Sequence, residues 1–204
     1  KSITITGTTA SDKVYDTNIT ASLVTTNSVI TNGAASANDN KFYTGDAVSL
    51  VKTGAAAIFA DKHVANGKAV TVTGFSLTGD DATNYSLVQP TDLTANVTKA
   101  DLVVSGITAS NRVYDTTITA VLGGTAAITR LGTDDVTIGG TAAGVFANRN
   151  VGNGKEITIT GVTISGADAG NYNLIQQTGL AADVTAKSIT ITGTTASDKV
   201  YDTN

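Results

Sequence analysis

Cysteine, methionine and tryptophan are absent from this 204-residue sequence, and proline and histidine occur once each. The lack of cysteine permits secretion without demonstrating it. No run of 18 apolar residues exists, so no segment is predicted to span a membrane. The net charge of −4 comes with no basic stripe that could displace counterions from nucleic acid. We therefore expect neither nucleic-acid binding nor membrane insertion.

The residues that are abundant favour strands. Threonine occurs 37 times and, with valine and isoleucine, dominates the composition; such β-branched residues prefer pleated, half-buried strands to helices. Charged residues make up only 15% of the chain, yet the apolar residues recur periodically, unlike those of a disordered linker. The sequence predicts a folded, mostly β protein.

An internal repeat organises the chain. Residues 187–204 repeat residues 1–18 letter for letter, and a diverged version lies at 101–117. Adding 87 to a residue number from Phe59 to Thr117 gives its equivalent in the next repeat without a gap. A Ser-, Asn- and Ala-rich stretch at 25–44 makes the first repeat longer and has the composition of a surface loop. We predict repeat 1 at 1–99, repeat 2 at 100–186, and the start of a third at 187–204.

Apolar residues alternate with threonine or other polar residues in several segments, as in strands with one buried and one solvent-facing side. In repeat 1 the alternating apolar positions are Ile3, Ile5, Ile19, Ala21, Leu23, Val70, Val72, Leu93, Ala95 and Val97. Repeat 2 has the same pattern at Val104, Ile118 to Leu122, Ile157, Ile159, Leu180, Ala182 and Val184. Each of these segments is predicted to be a strand.

Two Asn-Gly dipeptides, Asn66-Gly67 and Asn153-Gly154, predict hairpins, because a two-residue type I′ turn needs positive φ at both central positions. The first would join a strand ending near Val64 to one starting at Lys68. The alternative is a short helix from Ala55 to Val64, capped by Gly67. We favour the strand.

No proline- or glycine-rich linker separates the repeats, since Val97-Thr98-Lys99 leads directly into the strand that starts near Asp101. Adjacent domains are therefore expected in a restricted orientation, as an elongated rod. An ordered tail at 187–204 is expected to pack on repeat 2 or to add as a strand to a neighbouring molecule.

One string of motifs recurs in order. Lys13-Val14-Tyr15-Asp16-Thr17 returns at 199–203 and, with Arg112 in place of the lysine, at 112–116. In both full repeats it is followed by Asn-Gly-Lys and Asn-Tyr. The motif residues are Tyr15, Asp16, Asn66, Gly67, Asn84, Tyr85, Tyr114, Asp115, Asn153, Gly154, Asn171 and Tyr172. This string resembles the YDG-type repeats of large secreted bacterial adhesins, the filamentous-haemagglutinin-like exoproteins, which are related to β-grasp-like MBG repeats. Threonine replaces the usual glycine after Tyr-Asp.

The resemblance implies two tandem small β domains of a β-grasp-like variant; an immunoglobulin-like β-sandwich would also suit about seven short strands. It implies a structural stalk module of an adhesin at the bacterial surface or secreted from the cell, supporting adhesion or a biofilm matrix. The partners would then be neighbouring repeats of the same chain. The alternatives are a multivalent module that binds a glycan or a host surface protein, and an ice-binding threonine-rich surface.

Few residues could carry chemistry. His63 is replaced by Asn150 in repeat 2, so we interpret it as a solvated loop residue. Oxygen ligands for calcium could come from Asp80, Asp81, Asn84, Asp168 and Asn171. Asp and Asn also brace turns by bonding nearby backbone N–H groups, which is the interpretation we favour. The repeated tyrosines are interpreted as core residues with a hydroxyl at a polar edge. We expect no catalytic residue, no enzyme activity, no bound metal and no cofactor.

Overall fold

A computed structural model describes residues 1–34 and 38–203. The first strands are β1 (Ser2–Thr4), β2 (Thr9–Ser11), β3 (Lys13–Val14), β4 (Thr20–Val24), β5 (Asn32–Gly33), β6 (Phe42–Tyr43), β7 (Ser49–Val51), β8 (Ala56–Phe59), β9 (Ala65–Thr73) and β10 (Ser76–Thr78). They are followed by β11 (Ser86–Val88), β12 (Leu93–Thr98), β13 (Ala100–Val103), β14 (Ser105–Ser110), β15 (Arg112–Val113), β16 (Val121–Ala127), β17 (Thr137–Phe146), β18 (Gly152–Ser165), β19 (Tyr172–Ile175) and β20 (Ala181–Thr185). The helical elements described are two 3-10 turns, Ala82–Asn84 and Ala169–Asn171. The predicted mostly β architecture is confirmed.

The chain forms two compact units that do not follow the sequence repeats. Unit 1 comprises Lys1–Val103, Ile128–Gly139 and Thr163–Ile175, and unit 2 comprises Val104–Ala127, Gly140–Val162 and Gln176–Asn204. Unit 1 therefore contains all of repeat 1 together with three segments of repeat 2, while β17 and β18 contribute residues to both units. No helix of the described residues is long and apolar enough to cross a membrane.

Unit 1 is built on a six-stranded sheet with the order β2-β4-β8-β9-β12-β3. Its neighbours are antiparallel except β3 and β12, which pair in parallel. Unit 1 also contains three separate parallel pairs, β1 with β11, β5 with β6, and β13 with β19. Because an immunoglobulin sandwich is made of antiparallel strands, this parallel pairing of strands from the beginning of a repeat with strands from its end favours the β-grasp-like expectation. The described residues contain no α-helix of the kind a complete β-grasp fold carries.

The predicted alternation is confirmed by burial. On β9, Thr71 and Thr73 are exposed. The apolar members of β9 and β12 are buried: Val70, Val72, Ala95 and Val97. Ile19 departs from the pattern and is 40% exposed, because it precedes the first residue of β4. The core of unit 1 consists of Ile5, Tyr15, Ala21, Ala57, Phe59, Val70, Val72, Phe75, Ala95, Val97, Ala100, Leu102, Val136 and Tyr172.

Unit 2 repeats the parallel edge pairing. Its four-stranded sheet has the order β15-β20-β18-β17, and β15 runs parallel to β20, as β3 runs parallel to β12 in unit 1. A second pair, β14 with β16, is antiparallel. Buried side chains include Ile107, Phe146, Ile157, Ile159 and Val184.

The two Asn-Gly dipeptides do not form hairpins, so that prediction was wrong. β9 runs through Asn66-Gly67, and β18 runs through Asn153-Gly154. In each case the two residues of the dipeptide oppose a single residue of the partner strand, which defines a β-bulge. Gly67 has φ 60° and Gly154 has φ 56°. The glycines therefore have the positive φ that the dipeptide predicts, but they form a bulge within a strand. The turn lies earlier, between β8 and β9, and the alternative helix at 55–64 does not form.

The predicted loop at 25–44 is partly built into unit 1. Ser28 is buried and its hydroxyl lies 2.7 Å from that of Thr8, and β5 pairs with β6 near the end of the loop. Residues 35–37 lie outside the described part of the chain.

The tail does not pack on repeat 2, contrary to one of the two expectations. Residues 186–203 form no strand, and Ile189 and Ile191 are 94% and 84% exposed. The matching residues Ile3 and Ile5 are 0% and 8% exposed. Ile3 lies in β1 and Ile5 directly follows this strand, which pairs with β11, a strand from later in the same repeat. Asn204 lies outside the described residues.

Candidate functional site: a carboxylate joint between the repeats

The most unusual group of unit 1 is a buried carboxylate. Asp134, from repeat 2, is 3% exposed. Its Oδ2 accepts hydrogen bonds of 2.7 Å from the hydroxyls of Tyr15 and Tyr172, and its Oδ1 accepts one of 2.6 Å from Lys62 Nζ. Tyr15 and Lys62 belong to repeat 1. A charge is rarely buried unless it is paired and hydrogen-bonded, and here both conditions are met by residues of two repeats.

The environment of Asp134 fixes the protonation states of the cluster. Burial by itself would raise the pKa of Asp134, but the hydrogen bonds from Lys62, Tyr172 and Tyr15 outweigh it and hold the pKa below its usual value. The same contact with Asp134, together with a bond to Asp168, raises the pKa of Lys62. Burial and then the bond to Asp134 raise the pKa of Tyr172 to about 12. At neutral pH the cluster therefore holds one carboxylate, one ammonium and two neutral phenols.

Further contacts extend the cluster. Lys62 Nζ lies 2.9 Å from Asp168 Oδ1, and its hydrogen bond is the main reason that the pKa of Asp168 is lowered. The N–H of Val64 donates a 3.0 Å bond to Asn171 Oδ1. His63 is exposed, as expected, and its Nδ1 lies 3.3 Å from Asn171 Nδ2. The bridge between repeats therefore involves two carboxylates and one amide of repeat 2.

The tyrosine rings provide an apolar wall. Tyr15 and Tyr172 are 2% and 3% exposed, and their rings meet edge to face with centroids 5.6 Å apart, a favourable geometry for aromatic pairs. Lys62 Nζ lies 5.9 Å from the Tyr15 ring centroid. The interpretation of these two tyrosines as core residues is confirmed.

The part of the cluster that belongs to repeat 2, which we call the socket, consists of Asp134, Asp168 and Tyr172. Asp168 Oδ2 accepts the N–H of Asp135 at 3.0 Å, and the N–H of Asp168 returns a 3.1 Å bond to the Asp135 carbonyl. The N–H of Leu131 donates to the Tyr172 hydroxyl at 3.1 Å. The short segment before β17 and the 3-10 turn before β19 are thereby held together, with their oxygens directed towards repeat 1.

The donor side, which we call the plug, consists of Tyr15 and Lys62. The N–H of Tyr15 bonds the Thr98 carbonyl at 2.8 Å, which continues the parallel pairing of β3 with β12. The chain makes a tight turn just after Tyr15. Lys13 Nζ closes this turn by donating to Asp16 Oδ1 at 2.6 Å and to the Asn18 carbonyl at 2.8 Å. Lys62 lies in the bend between β8 and β9, which Lys68 holds through a 3.0 Å bond to the Asp61 carbonyl.

The turn after Tyr-Asp has a left-handed residue in both repeats. Thr17 has φ 72° and Thr116 has φ 73°, a conformation that favours glycine. This explains physically why a Tyr-Asp-Gly motif suits the position that threonine occupies here. The sequence profile of the YDG domain matches residues 1–93 and 98–179. The chain belongs to the YDG domain family. Searches of curated proteins and of solved structures return no match.

Sequence reasoning found part of this YDG joint. Of the residues singled out, Tyr15, Asp168, Asn171 and Tyr172 come together here. Asp16 and Asp115 close the turns beside the two Tyr-Asp motifs, and Asn84, Tyr85, Asp81 and Tyr114 occupy the equivalent positions of the other repeat. Asp80 is exposed and lies outside the contacts described.

Two central residues, Asp134 and Lys62, were missed. Asp134 and Asp46 differ by 88 in number, whereas the constant offset of 87 holds only from Phe59 onwards, so that offset does not pair them. Lys62 could have been noticed because its equivalent in repeat 2, Arg149, is also positively charged.

Two of the calcium candidates, Asp81 and Asp168, are engaged as turn braces. Asp81 Oδ2 accepts the N–H of Ala47 at 2.9 Å, and both carboxylate oxygens of Asp168 are bonded as described above. Across residues 1–34 and 38–203, no three His, Cys, Asp or Glu side chains are grouped so that they could hold a metal ion. The arrangement is chemically suited to holding two protein segments together.

Proposed function

We propose that this protein is a pair of structural repeat modules from the stalk of a secreted bacterial surface adhesin, where tandem YDG repeats support adhesion or a biofilm matrix. The observation that carries the proposal is the Asp134 cluster. The donors Tyr15 and Lys62 come from repeat 1, whereas the third donor, Tyr172, and the carboxylate acceptor come from repeat 2. All of them belong to one compact unit.

A buried polar cluster is well suited to a stalk. Hydrophobic contact alone tolerates sliding, whereas Asp134 needs both phenols and Lys62 in place, because an uncompensated buried charge is strongly destabilising. The joint therefore specifies one orientation of the YDG modules. No flexible linker is required between repeats, in agreement with the direct run of β12 into β13.

The assignment to an adhesin is supported by the array itself. The identical segments at 1–18 and 187–204 indicate a longer tandem series, and stability in such a series comes from each repeat and its junction with the next. Threonine-rich outer faces keep the strands soluble with few charges. We further propose that the modules are not enzymatic and act outside the cell through their length and number.

A reporter experiment tests the spacer function. A binding head of known ligand is fused to a cell-surface anchor through zero, one or two copies of this chain, on cells that carry a polysaccharide layer. We expect adhesion to ligand-coated beads to rise with the number of copies, and the Lys62→Met chain to support less of this gain. Adhesion that does not depend on copy number would contradict the proposal.

The alternative binding functions are tested with the same protein. The purified chain is applied to a glycan array and to immobilised host matrix proteins, with Tyr85→Phe and Tyr114→Phe as variants of the half-buried motif tyrosines. We expect no saturable binding. Saturable binding to one ligand class would replace the spacer proposal with that of a multivalent binding module.

A further inference from the structure

Repeat 1 contains a second socket that is built like the first. The Tyr85 hydroxyl donates a 2.6 Å hydrogen bond to Asp46 Oδ2, as that of Tyr172 does to Asp134 at 2.7 Å. Asp46 therefore occupies in repeat 1 the position that Asp134 occupies in repeat 2.

The framework around the two sockets also matches. The N–H of Ala47 donates to Asp81 Oδ2 at 2.9 Å, as that of Asp135 does to Asp168 at 3.0 Å. The N–H of Tyr43 donates to the Tyr85 hydroxyl at 2.8 Å, matching the bond from Leu131 to Tyr172. Asp46, Asp81 and Tyr85 are thus already held in the geometry of the first socket, and we call them the open socket.

The open socket differs from the first in what reaches it. Within the described part of the chain, no ion pair involves Asp46 or Asp81. Lys1 binds Asp39, and its ammonium lies 4.0 Å from the Tyr43 ring centroid. Asn84 is exposed, whereas its equivalent Asn171 is 4% exposed beneath Val64. Burial of Tyr85 and its bond to Asp46 raise the pKa of this phenol.

Repeat 2 carries a plug of the same design, Tyr114 and Arg149. The N–H of Tyr114 bonds the Thr185 carbonyl at 2.8 Å, the same distance as that from Tyr15 to Thr98. Lys155 binds the carbonyl of Asn148 at 2.7 Å, as Lys68 binds that of Asp61, so the bend that presents Arg149 is held like the bend that presents Lys62. Tyr114 is half-buried and Arg149 is exposed.

We propose that the open socket binds the plug of a second copy of this chain: Tyr114 of one copy donates to Asp46 of the next, and Arg149 pairs with Asp46 and Asp81. This inference rests on the proposed coupling of consecutive YDG modules and names its partner. Association is head-to-tail, so each copy offers one plug and one socket, and the assembly grows into chains.

Charge and shape support this occupant. The open socket presents two carboxylates, and the plug presents one cation and one phenol. A guanidinium has several donors in a rigid fork, so Arg149 can bond two carboxylates, as the single ammonium of Lys62 does in the first socket.

The test is sedimentation velocity of the full chain from low micromolar concentration to about 1 mM, a range chosen because small joints bind weakly. We expect the average mass to rise with concentration. The double variant Asp46→Asn, Asp81→Asn removes the socket, and Arg149→Glu removes the plug; each alone should remain monomeric. Asp80→Asn is the matched control, since it changes the exposed neighbour of Asp81, and it should associate as the unchanged chain does.

Mixing the two variants tests the head-to-tail geometry. The socket variant still carries a plug, and the plug variant still carries a socket, so an equimolar mixture should form dimers and nothing larger. Arg149 is exposed, so its replacement leaves the fold intact, which circular dichroism checks. The proposal is overturned if the unchanged chain stays monomeric throughout, if either variant still associates with itself, or if the mixture remains monomeric.

Failure here is distinguishable from failure of the spacer function. The adhesion experiment uses copies joined covalently, so it does not depend on contact between separate molecules. A monomeric chain that still extends the reporter head would leave the spacer proposal standing and remove only the intermolecular joint.

Discussion

Replacing Lys62 by methionine isolates the charge that holds the repeats together. Methionine keeps most of the length and apolar volume of the lysine stem but removes the ammonium that lies 2.6 Å from Asp134 Oδ1 and 2.9 Å from Asp168 Oδ1. Arg149→Met is the matched control, because Arg149 is the equivalent residue of repeat 2 and is exposed.

The structure sets the size of the effect. A hydrogen bond to a charged group contributes about 1.5–3 kcal/mol, and removing one partner of a fully buried ion pair costs about 3–5 kcal/mol. The Lys62 side chain is 30% exposed, so solvent screens part of the interaction, and Asp134 keeps both phenol donors. We therefore expect Lys62→Met to lower the free energy of unfolding by about 2 kcal/mol, or roughly 4–8 °C in melting temperature for a chain of this size. Arg149→Met should change it by less than about 0.5 kcal/mol.

Urea unfolding at low micromolar concentration, followed by circular dichroism and tyrosine fluorescence, measures both variants. A pH series adds a second criterion. The pKa of Asp134 is lowered in the folded protein, so the stabilisation from Lys62 is complete above the ordinary value of 3.8 and is lost as pH falls through the folded value. The deficit of Lys62→Met should therefore shrink below about pH 4. Equal losses for the two methionine variants, or a deficit independent of pH, would refute the argument.

Three further results are expected. Thr17→Gly and Thr116→Gly should each raise the free energy of unfolding by up to about 1 kcal/mol, measured by urea midpoints. A left-handed threonine costs about 1–2 kcal/mol, and part of this gain is offset because glycine loses more backbone entropy on folding. Destabilisation by either variant would contradict the strain argument. In an alkaline titration followed by phenolate absorbance, the Tyr172 step should appear near pH 12 and vanish in Tyr172→Phe. Because the pKa of Tyr172 is raised in the folded protein, the stabilisation that its neutral phenol contributes is complete below pH 10 and is lost as pH rises through about 12. Asp134→Asn should flatten the acid limb of the stability curve between pH 2 and 5, and an unchanged limb would mean that other carboxylates dominate.

Positions close in the sequence were predicted well. The alternation at Val70 and Val72 placed these residues in the core without knowledge of the partner strand, because the side-chain period of a strand is a local property. The dipeptide Asn66-Gly67 shows where local chemistry is ambiguous. Positive φ at Gly67 is compatible with a hairpin turn or with a bulge, and the pairing of β9 with β12 selects the bulge.

The candidate site was also predicted only in part from the sequence. Repetition marked Tyr15 and Tyr172 as motif residues, and their apolar neighbours indicated burial. Their shared acceptor could not be predicted, because Asp134 lies 119 residues from Tyr15 and 38 from Tyr172. Local composition presents Asp134 as one of two adjacent acids in a polar segment, with nothing to distinguish it from Asp135.

The sequence by itself determined that this protein is a mostly β tandem array with YDG motifs, since strand periodicity and exact repetition are carried by neighbouring residues. Only the tertiary structure decided that the repeats meet at a buried carboxylate. Burial of a charge depends on donors that arrive from distant segments, and the pKa of Asp134 is lowered only when Lys62, Tyr172 and Tyr15 converge on it. The tertiary structure likewise revealed that the same acceptor geometry stands open in repeat 1.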